Sequence, residues 1–357
     1  MQLQIRYFLF ALFWLVIFYL FLSGATHASE VPKSAQNSIQ SDLVNPGYHE
    51  KPSWFKESFL NLREDIQEAR ENKKRVLIYF YQDGCPYCAK LLQDNLGQKR
   101  LAEKTRKNFD VIAINMWGDK EVTDLQGQRT TEKKFAEKLK VMYTPTLIFL
   151  TEEGKNALRV NGYYAPNKFE TALDYVLGHY EKKISFRHYV HKHLKVPSSG
   201  KLNQQSFILK PPYNLQKLLS SDKPLLVLFE QKKCHDCDEL HNDIFKRTES
   251  IRQINRFNVV RLDTWSNETL LDSQGKIISA KLFAKKLNIN HSPSFVFFDE
   301  NGKDIFRIDA YMKSFHTQSV MDYIASGSYK VQPNFQRYIA DRAAKLEAQG
   351  IHIDMMK

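Results

Sequence analysis

The chain has 357 residues, 43% of them apolar, and a formal net charge of +12. That is room for two domains of ordinary size, and too apolar for a disordered chain. Its basic residues are scattered through helices and loops rather than gathered into a stripe with stacking aromatics, which argues against a nucleic-acid partner.

The N-terminus reads as a targeting segment. Arg6 precedes an apolar run from Tyr7 to Leu22, followed by "SGATHASE". The run is short for a spanning helix, which needs about 20 apolar residues. A secretory signal peptide over 1–28, cut near Ala28, is the expectation. The alternative is an uncleaved anchor, because no Asp, Glu, Lys or Arg lies between Arg6 and Glu30. Either way the rest is exported. The expected compartment is a bacterial periplasm, since "HIDMMK" at the C-terminus carries no Lys-Asp-Glu-Leu signal.

After a linker at 29–45, the spacing predicts an alternating domain over 46–184. Residues 55–72 have apolar positions at helical spacing, and "RVLIYFY" from Arg75 is a buried strand. Residues 86–107 read as a helix with Pro86 at its favoured first position. "FDVIAINMW" from Phe109 is a strand, and "TEKKFAEKLKV" a short helix capped by Thr131. "TLIFLT" and "NALRVNGY" are strands joined by a Glu-Glu-Gly-Lys turn, and residues 166–180 form a closing helix. This order implies an α/β fold, a mixed sheet flanked by helices.

Residues 185–212 hold "VPSSGK" and "KPPY" and read as a basic linker. Its His188, His191 and His193 fit a solvated linker better than a metal site. The chain then repeats itself over 213–345, before a tail at 346–357. Cys85 and Cys234 are 149 residues apart (234 − 85), as are Cys88 and Cys237. "FAEKLKVMYTPTLIFL" from Phe135 answers "FAKKLNINHSPSFVFF" from Phe283, now at an offset of 148 (283 − 135). A period of that size is a duplicated domain, because solenoid units run to about 20–50 residues.

The chain has only four cysteines, all in C-x-x-C pairs: "CPYC" at 85–88 and "CHDC" at 234–237. An exported domain stapled by disulfides would spread its cysteines over longer loops. Cys85 ends a strand and starts a helix, where free N–H groups and the helix dipole favour a thiolate. Cys88, one turn on, is placed to resolve a mixed disulfide on Cys85. Cys234 and Cys237 repeat the arrangement. A zinc ribbon would bring its C-x-x-C halves within about 15–20 residues, and a c-type haem would need His after the second cysteine, where Ala89 and Asp238 stand. Two rival readings stay open: a stiff structural disulfide, and a soft metal at the second pair with His241.

Strand, C-x-x-C, helix, then Thr-Pro or Ser-Pro before a strand resembles the thioredoxin fold, in both copies and over nearly all the mature chain. The resemblance implies cis bonds at Thr144–Pro145 and Ser292–Pro293, in loops that abut the sulfurs and shape a groove for substrate chains. More narrowly, "CPYC…INMWGDKEV…TPTLIFLTEEGK…GYY" is similar to the exported thioredoxin-related family that includes the SoxW-type proteins. That likeness implies an enzyme that keeps partner thiols reduced.

The chain departs from cytosolic thioredoxin at three places. Gly84 and Lys233 stand where a tryptophan precedes the first cysteine. Tyr79 and Leu228 stand where a buried acid assists proton transfer. Pro86-Tyr87 and His235-Asp236 replace Gly-Pro inside the motifs. His235 and Lys233 favour the Cys234 thiolate and Asp236 opposes it, so the second couple is expected to be the more oxidising.

The expectation is therefore an exported tandem thiol–disulfide oxidoreductase of reductase or isomerase type, needing no cofactor and no metal. Its partners would be thiol- or disulfide-containing exported proteins and a membrane thiol electron donor. The alternatives are a disulfide-forming oxidase and a thioredoxin-fold binding protein, either chaperone or soft-metal carrier.

Overall fold

A computed structural model describes residues 49–356; the targeting segment and the linker at 29–45 lie outside them. The first unit is built on β1 (Arg75–Tyr81), buried at every position but its last. An unbroken apolar strand needs cover on both faces. It pairs in parallel with β2 (Phe109–Asn115) and antiparallel with β5 (Thr146–Leu150), which pairs antiparallel with β6 (Asn156–Asn161). The sheet order is β2-β1-β5-β6. Alternation along β1 divides the core. Leu77 and Tyr79 enter one cluster with Phe149 and Phe169; Val76, Ile78 and Phe80 enter the other with Ile112 and Phe135.

The helices of this unit are α1 (Leu62–Glu71), α2 (Pro86–Lys90), α3 (Lys99–Asn108), α4 (Glu132–Lys138), α5 (Pro166–Leu177) and α6 (Phe186–His193). Thr131 caps α4 by accepting from Lys134 N. A small hairpin that the alternation pattern did not reveal joins β3 (Glu121–Thr123) to β4 (Arg129–Thr131).

The second unit repeats the plan with α7 (Leu215–Leu219), β7 (Leu225–Glu230), α8 (His235–Asn242), α9 (Thr248–Ile254), β8 (Asn258–Asp263), the hairpin β9 (Thr269–Leu271) and β10 (Ile277–Ser279), α10 (Ala280–Lys286), β11 (Ser294–Phe298), β12 (Asp304–Ile308), α11 (Ser314–Ala325) and α12 (Phe335–Ala348). Its sheet order, β12-β11-β7-β8, matches that of the first.

Three stretches differ from the sequence expectation. The helix expected over 55–72 begins only at Leu62, because Leu60 sits in the left-handed region with φ 62°. The helix expected over 86–107 is in three pieces: α2, a π turn at Leu91–Asn95, and α3. The break falls at Gly97, where a Cβ would lie 2.3 Å from the Gln93 carbonyl oxygen. The stretch read as linker opens with a packed helix, α6, whose Phe186, Arg187 and Tyr189 are buried. Its histidines face aromatic rings, His188 and His191 against Trp265 and His193 stacked on Tyr189.

The two units pack around an approximate two-fold axis. Tyr143 of the first donates to the Arg307 carbonyl of the second, and His291, its counterpart (143 + 148), donates to the Arg159 carbonyl of the first. Asn161 meets its own counterpart Asp309 (161 + 148). Tyr143 is buried in the core of the second unit and Ala310 in that of the first. The last helix of each unit also crosses over: α6 lays Arg187 on the Trp265 ring, and α12 lays Arg337 on the Trp117 ring.

Candidate active site

Each C-x-x-C begins where a buried central strand ends. Cys85 is the N-cap of α2, and its sulfur accepts from Cys88 N at 3.0 Å. Cys234 is the N-cap of α8, and its sulfur accepts from Cys237 N at 3.1 Å. An amide aimed at the leading sulfur is what a thiolate would need. Both pairs are disulfide-bonded, Cys85 to Cys88 and Cys234 to Cys237.

Thr144–Pro145 and Ser292–Pro293 are cis, as is Pro211–Pro212, which the sequence reading did not single out. The Cys85 sulfur is 3.4 Å from the Thr144 carbonyl oxygen. Thr144, Pro145 and Pro293 are buried, and Ser292 is half-buried.

The residues inside each motif touch the other unit. Asp236 pairs with Lys168, at the start of α5, at 2.7 Å. Tyr87 meets the ring of His316, the counterpart of Lys168 (168 + 148), at 5.2 Å between centroids. Segments that follow α6 and α12 then cross the motifs. The Tyr87 hydroxyl donates to the Met355 carbonyl at 3.0 Å. His235 Nδ1 donates to the Pro197 carbonyl at 3.2 Å, and Asp238 accepts from Ser199 N, Ser199 Oγ and Asn203 Nδ2. Burial raises the Asp238 pKa, but these hydrogen bonds outweigh it and hold the carboxyl below its usual range. The leading cysteines are consequently little exposed, Cys85 at 3% and Cys234 at 7%.

Of the tuning residues, Pro86 begins α2, and Tyr87 is held neutral because burial pushes its pKa up. His235 is half exposed beside Glu239. Gly84 has φ +73°, a conformation that suits glycine, whereas Lys233 lies among no positive-φ residues.

Tyr79 and Leu228 fill the expected acid positions with groups that stay uncharged; burial pushes the Tyr79 phenol well above its usual range. The acid in the second unit comes from elsewhere. Glu230 and His241, both 1% exposed, hydrogen-bond at 2.8 Å and join the end of β7 to α8. The signal was present as a lone charge ending the apolar strand "LLVLFE". His241, considered above as a soft-metal ligand, hydrogen-bonds Glu230 through Nε2. No group of three or more His, Cys, Asp or Glu side chains suited to a metal occurs among the described residues.

Two thioredoxin folds, each with a C-x-x-C pair capping a helix beside a cis-proline loop, define the general class of thiol–disulfide oxidoreductases. The thioredoxin-like domain family matches residues 62–177 and again 212–325, and the chain belongs to that family. No curated protein matches it. Among solved structures, a thioredoxin-fold protein from Helicobacter pylori is 18% identical, with 39% of this chain and 90% of that one covered and a TM-score of 0.31. The DsbH oxidoreductase is 13% identical over 39% of this chain and 98% of its own, TM-score 0.25. The oxidised C-terminal domain of DsbD from Neisseria meningitidis is 14% identical over 33% and 91%, TM-score 0.25.

Proposed function

We propose that this protein is an exported reductase or isomerase of disulfides in partner proteins, working in a bacterial periplasm and supplied with electrons by a membrane thiol donor. The observation that carries the reading is the repeated constellation of a leading sulfur on a helix N-terminus, a resolving cysteine one turn on and a cis-proline loop alongside. The likeness to SoxW-type proteins supports the reducing direction.

Attack by Cys85 or Cys234 forms a mixed disulfide with the partner, and attack by Cys88 or Cys237 releases the partner as a thiol. The two couples differ. His235 and Lys233 favour the Cys234 thiolate, and Lys168 offsets the opposing charge of Asp236. Electrons then pass more readily from the first pair to the second than the reverse.

The test is the reduction potential of each pair, read by mass after equilibration in graded glutathione buffers. Values near about −270 mV support a reductant; values near about −120 mV mark a disulfide-forming oxidase. A second reading, a thioredoxin-fold binder, is favoured by one observation, the burial of both leading cysteines. A binder would keep partner affinity after Cys85→Ser and Cys234→Ser, whereas the enzyme loses turnover.

A further inference from the structure

One step of exchange asks for more than cysteines. After Cys234 has formed a mixed disulfide, Cys237 must lose its proton before its sulfur can attack. Cys237 is 3% exposed, so bulk water is not at hand to take that proton. The position where related proteins keep an acid holds Leu228.

Glu230 and His241 supply what is missing. Glu230 is the last residue of β7, the strand that leads into the Cys234 loop, and His241 shares α8 with Cys237. Residues four apart on a helix lie on one face, with Cβ atoms about 5–6 Å apart. Cys237 and His241 therefore share one face of α8, and both are buried. The His241 ring's Nε2–H donates to Glu230 Oε1 at 2.8 Å, which leaves Nδ1 as a bare lone pair. His241 Nδ1 and Glu230 Oε2 have no hydrogen-bond partner, although both are buried. Buried polar atoms are normally satisfied, so an unfilled acceptor there calls for a role. The first unit has Tyr81 and Leu92 at the corresponding positions (230 − 149 and 241 − 149), so the pair belongs to the second site alone.

We infer that His241 Nδ1 accepts the thiol proton of Cys237, with Glu230 as the positioning residue that fixes the ring's orientation and tautomer. The inference rests on the exchange reaction proposed above. The Cys234 thiolate attacks the partner disulfide and expels one partner thiolate, which takes a proton from solvent. The Cys237 proton moves to His241 Nδ1. The Cys237 thiolate attacks Cys234 Sγ, the mixed disulfide breaks, and the second partner thiolate leaves and receives the proton from His241. Two electrons pass from the cysteine pair to the partner disulfide, and two partner thiols result.

The experiment uses the full chain carrying Cys85→Ser and Cys88→Ser, so that only the second site reports. Reduced protein is mixed with 5,5′-dithiobis(2-nitrobenzoate), whose first coloured thiolate reports attack by Cys234 and whose second reports resolution by Cys237. In His241→Leu, which copies the first unit, the first thiolate is expected at the unmutated rate and the second about 10²-fold more slowly, with the mixed disulfide trapped by acid. His241→Gln keeps a hydrogen bond to Glu230 and gives the same split, and Glu230→Gln gives a smaller one. The same His241 variants with Cys234→Ser and Cys237→Ser react at the first site unchanged, which reports an intact fold. Resolution at the unmutated rate in both His241 variants, or equal slowing of both phases, overturns the assignment. If the unmutated second site releases no thiolate at all, the exchange reading itself fails, and the assignment with it.

Discussion

Asp236 brings a negative charge beside Cys234, and Lys168 answers it across the unit boundary at 2.7 Å, with side chains only 14% and 28% exposed. Lys168→Met is expected to leave that charge uncompensated, disfavour the Cys234 thiolate and lower the second couple's potential by about 30 mV, a tenfold change in its exchange constant. Mass-resolved redox titration checks it, with Cys85–Cys88 as the internal reference that should not move. Gly84 makes a contrasting case, because its role is conformational. With φ +73° and no atom within 4 Å of a built Cβ, Gly84→Lys meets strain rather than a clash. It is expected to cost about 1 kcal/mol in a denaturant melt, while the same lysine at Lys233 costs nothing of that kind. Both cysteine pairs were legible from spacing, and both cis-prolines from the resemblance those motifs carry. The Lys168–Asp236 contact was not, because the partners are 68 residues apart and meet only through the packing of two units. Glu230 is less legible for a related reason: a fixed offset from the cysteine leads to Leu228, and the lone charge that ends the apolar strand does not by itself show that it is buried against His241.

At the scale of elements, the strands and most helices followed from apolar periodicity, because a strand covered on both faces leaves an unbroken apolar run. What periodicity did not reveal was short or depended on partners. The β3–β4 hairpin pairs over three residues a side, and α6 buries a face only because Trp265 and the first unit's core receive it. The segments after α6 and α12 gave no periodic signal, yet they cover the two motifs. The C-terminal segment holds Tyr87 through one hydrogen bond to the Met355 carbonyl, with Ile353 and Met355 packed against the second core. Deleting residues 349–357 is expected to raise the alkylation rate of reduced Cys85 several-fold while leaving that of Cys234 unchanged. Peptide-level mass analysis after timed alkylation reads both. Equal rates before and after deletion would show that the second unit alone shields Cys85.

Residues 49–356 are two copies of one fold that bury part of their working surfaces against each other. The isologous logic of a symmetric dimer is here built into a single chain. The interface holds one buried histidine, His291, and one half-buried, His316, whose Nδ1 is shut off from solvent. His291 lies against Tyr164, Phe186, Lys168 and the Arg159 carbonyl, and burial, with the Lys168 charge, pushes its pKa down to about 3. His316 lies against Tyr87 and Phe315, and burial pushes it down to about 4. Both are neutral when folded and titrate near 6.5 when unfolded. Between those values the unfolded chain binds more protons, so their contribution is complete above pH 6.5 and is lost as the pH falls toward the folded values. At pH 5 each histidine removes about 2 kcal/mol. Asp309, raised by burial at the same interface, acts in the opposite sense, and Glu152, held down at about 2 mainly by Arg75, loses its contribution only below its usual value of 4.5. The clean readout is therefore a difference between variants. Urea midpoints for the unmutated chain are expected to drop from pH 7.5 to pH 5, and His316→Phe should remove about 2 kcal/mol of that drop. A drop of the same size in both proteins would mean that His316 is free to take a proton in the folded state, and that the interface around Tyr87 opens without unfolding.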